Sequence, residues 1–112
     1  MGGFPESSIA YDKQLPERLG AVVVSPHYRY APTNPFPAAI DDADDIAKWC
    51  QEHCEELWGA DPTITTVSGF SAGGNLALGV CQQKRCHGEA PTAIKGSVTF
   101  YAAVCDCHSL FL

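Results

Sequence analysis

Hydrophobic residues along the 112-residue chain form two kinds of pattern, one typical of helices and one typical of buried strands. The clearest helical pattern runs over residues 38–58, where apolar side chains recur every three or four positions with charged residues between them. Its apolar positions are Ile40, Ala43, Ala47, Cys50, Cys54 and Leu57. Weaker patterns predict helices over residues 5–19, which Gly20 would end, and over residues 72–86.

Three short runs rich in β-branched residues predict strands, at residues 21–26, 63–68 and 94–103. The first run is apolar without alternation, which is typical of a strand buried on both faces of a parallel sheet. Because helices separate the strands, we expect β-α-β crossovers and an α/β fold with helices on both faces of the sheet. Residues 27–37 contain three prolines and are predicted to form an ordered loop.

Composition and charge limit the classes of function. Hydrophobic residues make up 46% and charged residues 18% of the chain, as in a single globular domain without a signature of disorder. The net charge is -6, from 13 acidic and 7 basic residues, so no basic face is available for a nucleic acid. No apolar run is long enough to predict a membrane span. Residues 1–6 have no targeting pattern, so the localisation stays open, with the cytoplasm favoured over other compartments.

Six cysteines are many for this length, and three interpretations are open. They are Cys50, Cys54, Cys81, Cys86, Cys105 and Cys107. The spacing of Cys50 and Cys54 is that of apolar positions on a helix, which favours small buried side chains. Disulfide bonds or redox-active thiols are the second interpretation. A zinc site is the third, although no pair has the spacing of a zinc knuckle, so neither a metal nor another cofactor is expected.

Four aspartates lie near the start of the long predicted helix. They are Asp41, Asp42, Asp44 and Asp45. Carboxylates are favoured at a helix N-terminus by the helix dipole, which is a simpler explanation than a cation site. We also expect Asp42 to pair with Arg29 and to hold the proline-containing loop against the helix.

A candidate nucleophile lies between the second predicted strand and the helix that follows it. Residues 69–73 read G-x-S-x-G, a motif in which the serine, here Ser71, sits on a strained strand-to-helix turn. Both glycines, Gly69 and Gly73, are expected because side chains there would collide with neighbouring backbone. The turn would also direct the Ala72 amide and the helix dipole at an oxyanion formed beside Ser71. The alternative is a glycine-rich packing turn without chemistry.

Two segments resemble the hormone-sensitive-lipase-like group of α/β-hydrolases, which are carboxylic ester hydrolases. Residues 68–77, SGFSAGGNLA, are similar to that group's nucleophile elbow, with Phe70 where aspartate is usual. Residues 28–32, YRYAP, followed by FPAA at residues 36–39 and by Asp42, resemble its D-Y-R-L-A-P segment. The departures from that segment are His27 for aspartate, Tyr30 for leucine and Thr33 for glutamate.

The resemblance implies a partial α/β-hydrolase domain over residues 1–112, without the strand that precedes Gly2 and without the C-terminal part of the sheet. It implies that Ser71 is the nucleophile of an esterase or lipase that forms an acyl-enzyme with a small-molecule ester. Gly2, Gly3 and Ala72 would supply the amides of the oxyanion hole. The alternative for Gly2 and Gly3 is a frayed terminus. The oligomeric state stays open.

A general base for the serine is not evident in the sequence. The hydroxyl needs a histidine to accept its proton and a carboxylate to orient that histidine, and both follow the serine in this fold. The histidines after Ser71 are His87 and His108, and Asp106 is too near His108 in sequence to orient it in the usual way. The resemblance implies an acid and a histidine beyond Leu112. The alternative function is therefore a catalytically incompetent remnant or an interaction fragment.

Overall fold

A computed structural model describes residues 9–86 and 94–102, which contain five regular elements. They are α1 (Ile9–Leu19), α2 (Ala38–Trp58), β1 (Thr65–Phe70), α3 (Ala72–Cys86) and β2 (Ile94–Phe100). The helices agree with the predicted helical patterns over the described residues. Within the same residues, no helix is both long enough and apolar enough to cross a membrane.

The two strands β1 and β2 pair in parallel, and α3 connects them. The register places Phe70 opposite Phe100 at the carboxyl ends, with an irregularity between Thr65 and Thr66 at the other end. This arrangement confirms the β-α-β unit that the sequence predicts. The strand β1 starts two residues later than expected because Asp61 forms a turn with Thr63, whose N–H donates to Asp61 Oδ1 at 2.8 Å.

Helices lie on both faces of this sheet. Thr99 and Phe100 are neighbours in β2, so their side chains point to opposite faces. Gly74 of α3 lies against Thr99, whereas the Tyr11 ring of α1 contacts the Phe100 ring at a centroid distance of 5.4 Å. The predicted coverage of both faces is thereby confirmed for this part of the sheet.

The first predicted strand is not formed among the described residues. Residues 21–26 have no regular secondary structure, and Val22 and Val24 are 47% and 43% exposed. A strand depends on hydrogen bonds to a neighbouring strand, and no described strand pairs with this segment. The strand prediction for residues 21–26 is therefore wrong for the structure described.

Among the described residues, the best buried part is the contact between α2 and α3. Ile40 and Ala47 of α2 pack with Val80 of α3, which is 2% exposed. The helices approach closely at Gly79, where an added Cβ would lie 2.7 Å from the Ile40 Cδ1 atom. The predicted apolar face of α2 is confirmed along most of its length, but Leu57 near its end is half exposed.

We expect the Val80→Ala variant to lose about 2 kcal/mol of unfolding free energy, because two buried methyl groups are removed and a cavity remains. The matched control is Val98→Ala, since Val98 of β2 is 46% exposed and should cost less than about 1 kcal/mol. Urea unfolding followed by far-UV circular dichroism measures both. Equal losses in the two variants would contradict the assignment of the core to the α2–α3 contact.

Candidate active site at a strand-to-helix turn

Ser71 occupies the single residue between β1 and α3, in a backbone conformation that is rare for serine. Its φ is 52°, in the left-handed region, which costs a residue with a Cβ about 1–2 kcal/mol. The Ser71 N–H donates to the Phe100 carbonyl at 2.9 Å, and the Ser71 carbonyl accepts from the Asn75 N–H at 3.2 Å. These bonds hold the turn from both sides, and the Ser71 side chain lies exposed at the carboxyl end of the sheet.

Two glycines allow the chain to reverse so tightly at this turn. A Cβ on Gly69 would overlap the carbonyl carbon and oxygen of Gly73 and lie 2.7 Å from the Gly74 nitrogen. A Cβ on Gly74 would in turn lie 3.0 Å from the Gly69 carbonyl oxygen and 3.0 Å from the Ala102 Cβ. The steric prediction for Gly69 is thus confirmed.

The steric prediction for Gly73 is wrong within the described residues. A Cβ at Gly73 would meet no described atom within 4 Å. The close packing falls instead on Gly74, one residue further along α3, where the helix crosses the end of β2. The motif therefore predicts the turn correctly. The second glycine that close packing requires is Gly74 and not Gly73.

The N-terminus of α3 lies directly after the serine. Ala72 is its first residue and is exposed, as is Ser71. The first N–H groups of an α-helix have no partner within the helix and carry the positive end of its dipole. An anion that forms beside the Ser71 hydroxyl would therefore lie near unpaired N–H groups, which is the arrangement needed to stabilise a tetrahedral oxyanion.

The other candidate site residues are not brought to Ser71 by the structure described. Gly2 and Gly3 lie outside the described residues, and so do His87, His108 and the acids near them. Among the residues that are described, none forms a hydrogen bond with the Ser71 hydroxyl. The described residues also contain no group of three potential metal ligands.

The loop before α2 is fixed by an ion pair that the sequence predicts. The Arg29 guanidinium donates to both carboxylate oxygens of Asp42, with Nη2 at 2.6 Å from Oδ1, and the Arg29 N–H donates to Oδ2 at 2.9 Å. These hydrogen bonds and the charge of Arg29 lower the pKa of Asp42. The hypothesis that this pair joins the loop to the helix is confirmed.

Residues that depart from the resembled loop pattern make ring contacts in it. The Tyr30 ring lies 4.8 Å from that of Tyr28 and 6.2 Å from that of His27. Burial, together with the neighbouring Tyr30, raises the pKa of Tyr28. Two of the three departures, His27 and Tyr30, thus take part in aromatic contacts within the loop.

The cysteines of α2 behave as packing residues. Cys54 is buried, and its Sγ lies 3.5 Å from the Ala60 carbonyl oxygen. Cys50 is half-buried, and burial raises the pKa of its thiol. Both are free thiols, so the interpretation as a small buried side chain is confirmed for Cys54, whereas Cys50 is only partly buried.

An aromatic cluster beside Ser71 is the part of the site that the sequence pattern did not indicate. It consists of Tyr11, Phe70, Phe100 and Tyr101. Phe70 stood out as a replacement for aspartate, but nothing in the chain connects it with Tyr11, which lies 59 positions earlier. Only the parallel pairing of β1 with β2, with α1 across their ends, brings these rings together.

Comparison with known proteins places the chain among hydrolases. A family model described as the alpha/beta hydrolase fold matches residues 1–110. Arylacetamide deacetylase of Rattus norvegicus is 36% identical over 110 residues, which are 92% of this chain and 28% of that protein. Carboxylesterase NlhH of Mycobacterium tuberculosis is 45% identical over 71 residues, 63% of this chain and 22% of that protein.

Solved structures of esterases are also similar to this chain. The hyperthermophilic esterase of the archaeon Pyrobaculum calidifontis is 42% identical with a TM-score of 0.83, covering 91% of this chain and 32% of that one. The structure titled bacterial heroin esterase is 32% identical, also with a TM-score of 0.83, covering 93% of this chain and 32% of that one. The chain thus spans about a third or less of the length of these relatives.

We expect Gly69→Ala to destabilise the chain by at least about 2 kcal/mol, because its Cβ would overlap rigid backbone. The matched control is Gly73→Ala, which meets open space and should be neutral or stabilising by up to about 1 kcal/mol, since alanine favours the helix. Urea unfolding measures both. A Gly69→Ala protein as stable as wild type would contradict the close approach at the turn.

We expect the Asp42 carboxyl to titrate below the ordinary aspartate pKa and to return towards it in Arg29→Ala. Since the folded-state pKa is lowered, the ion pair stabilises the fold above the unfolded value of about 3.9. That contribution is lost as the pH falls through the folded-state pKa. Carboxyl carbon chemical shifts followed against pH measure the change.

Asp61 is the internal control for this titration, because hydrogen bonds from Thr63 lower its pKa. It should titrate identically in wild type and in Arg29→Ala. An Asp42 midpoint that does not move in the variant would show that the ion pair is not formed in solution.

Proposed function

Because the chain belongs to the hormone-sensitive-lipase-like group of the α/β-hydrolase family, we propose that it carries the nucleophile of a carboxylic ester hydrolase. The observation that carries the proposal is the φ of 52° at Ser71, on the single residue between β1 and α3. Strain of this kind persists where the surrounding structure holds it, and it is concentrated at functional sites.

In the proposed reaction the Ser71 Oγ attacks the ester carbonyl carbon while a histidine accepts the hydroxyl proton. The carbonyl oxygen becomes an oxyanion, which the Ala72 N–H and, in this proposal, those of Gly2 and Gly3 stabilise. Collapse of the intermediate breaks the ester bond. The histidine gives its proton to the departing alcohol, and water then releases the acid from the acyl-enzyme. The histidine and its acid lie, in this proposal, outside the described residues.

The substrate class is a small-molecule ester, and the relatives support it by their names. They include a carboxylesterase, an archaeal esterase and an arylacetamide deacetylase, the last named for an amide substrate. Esters and aryl amides are both cleaved through attack on an acyl carbon, so one nucleophile serves either. Residues 1–112 would form the part of the hydrolase domain that bears this nucleophile.

The competing function is a catalytically incompetent remnant that keeps the turn without the reaction. It is favoured by the sequence after Ser71, where the histidines are His87 and His108 and Asp106 is too near His108 to orient it in the usual way. A serine without a base remains a weak nucleophile. The two functions differ in whether Ser71 reacts with an electrophile in the folded chain.

We expect a fluorophosphonate probe to label Ser71 in the natural full-length protein, where a histidine can accept the hydroxyl proton, and Ser71→Ala to reduce the labelling to background. Ser68→Ala is the matched control, because Ser68 is an exposed serine on β1, three residues away, and should leave the labelling unchanged. Peptide mass spectrometry locates the adduct. A folded full-length protein that is not labelled would favour the remnant, and persistent labelling of Ser71→Ala would exclude Ser71 as the nucleophile.

A further inference from the structure

The aromatic cluster of Tyr11, Phe70, Phe100 and Tyr101 lies at the carboxyl end of the sheet. The rings of Phe70 and Phe100 are stacked, with centroids 4.7 Å apart and an interplanar angle of 14°. The Tyr11 ring meets both of them edge-on, 5.4 Å from each. The Tyr101 ring lies 6.0 Å from Phe70 at a tilt of 47°. Offset-stacked and edge-to-face pairs are the favourable arrangements of aromatic rings.

This cluster is joined directly to the backbone of the proposed nucleophile. Phe70 precedes Ser71 in the chain, and the Phe100 carbonyl accepts the hydrogen bond from the Ser71 N–H at 2.9 Å. The stacked rings therefore belong to the two residues that fix the position of the Ser71 amide. A change in their separation would move either the peptide bond before Ser71 or the acceptor of its hydrogen bond.

The cluster also occupies the face of the sheet opposite to α3. On the α3 face, the turn is held by the close approach of Gly69 to Gly73 and Gly74. On the other face, none of the described glycines makes such a contact, and the Tyr11 ring of α1 contacts both stacked rings. The residue after Phe100 is itself unusual, because Tyr101 has a φ of 43° and is 77% exposed. Two positive-φ residues thus flank the stack, one at the end of each strand.

We propose that Tyr11 and Phe70 are positioning residues that hold Ser71 in its reactive conformation. Phe70 acts through its stack on Phe100, and Tyr11 acts through its edge-on contacts with both of these rings. This inference rests on the proposed function, because it assigns the cluster a part in the reaction of that same serine. The rings do not contact a substrate in the proposal. They fix the Ser71 backbone, and with it the direction in which the hydroxyl leaves the turn, by opposing the relaxation of φ to negative values.

The test compares Tyr11→Ala and Phe70→Leu with the conservative variant Tyr11→Phe, which keeps the ring and removes only the hydroxyl. Trp49→Ala is the control for loss of an aromatic stack elsewhere, since Trp49 stacks on His53 at 4.6 Å on the half-exposed face of α2. Hydrogen exchange of the Ser71 amide is measured in each full-length chain. Fluorophosphonate labelling is measured in parallel, with its maximal rate and its half-saturating concentration determined separately.

We expect Tyr11→Ala and Phe70→Leu to exchange the Ser71 amide about 3- to 10-fold faster, as expected for loss of one aromatic pair. The maximal labelling rate should fall about 10-fold or more, because small displacements of a reacting group are costly, with an unchanged half-saturating concentration. Tyr11→Phe should restore wild-type values. Trp49→Ala should leave both measurements unchanged.

Two results would overturn the proposal. One is an unchanged Ser71 amide exchange rate in Tyr11→Ala and Phe70→Leu, and the other is an equal acceleration at the Val80 amide of the core, which would indicate general destabilisation. If the wild-type chain is not labelled, the proposed function fails, and amide exchange alone then decides whether the cluster holds the turn. Slower labelling with unchanged exchange would count against positioning through the backbone.

Discussion

The hydrogen bond from the Ser71 N–H to the Phe100 carbonyl is the contact on which the arrangement of the site depends. It joins the residue between β1 and α3 to the last residue of β2, so it fixes the turn relative to the sheet rather than only within its own loop. The bond can form only if β1 and β2 run parallel and end together, as the register from Phe70 to Phe100 shows. A positive φ at Ser71 is the consequence, because the chain must leave the sheet and start α3 within one residue.

The two faces of the sheet are packed by different groups at the turn that contains Ser71. On the face towards α3, the absence of side chains at Gly69 and Gly74 lets backbone pack directly on backbone. On the face towards α1, aromatic rings provide the packing. Substitution of aspartate, usual in the resembled group, by Phe70 fits this division. A carboxylate would need hydrogen-bond donors near the sheet, whereas a phenyl ring is satisfied by stacking on another ring.

Sequence patterns predicted the elements whose stabilisation is local. The long apolar periodicity of α2 and the motif around Ser71 are both readable over fewer than 25 residues, and both appear in the structure. The strand prediction for residues 21–26 is wrong. A β-branched composition favours an extended conformation, but a strand forms only when a neighbouring strand pairs with the segment. The contact of Tyr11 with Phe70 could not be predicted from the sequence, since it depends on where α1 lies relative to the finished sheet.

The Arg29–Asp42 pair was predictable because a segment resemblance brought its two members together, and its geometry explains why the pairing is specific. A guanidinium fork that donates to both carboxylate oxygens fixes direction as well as distance, which a single contact would not do. The backbone N–H of Arg29 adds a further bond to the same carboxylate. The loop before α2 is thus held at one residue, and its tyrosines can pack with each other without having to anchor it.

The proposed reaction likewise depends on some groups that are close to Ser71 in the sequence and on others that are distant from it. Placing a strained serine before a helix N-terminus needs only β1, α3 and the end of β2, all of which the described residues contain. Accepting its proton needs a histidine and an acid, which in this fold come from later in the chain. The geometry of the nucleophile is therefore built independently of the base that activates it. A turn of this form can keep its structure whether or not the proton acceptor is present, because the backbone contacts that hold Ser71 come from β1, β2 and α3.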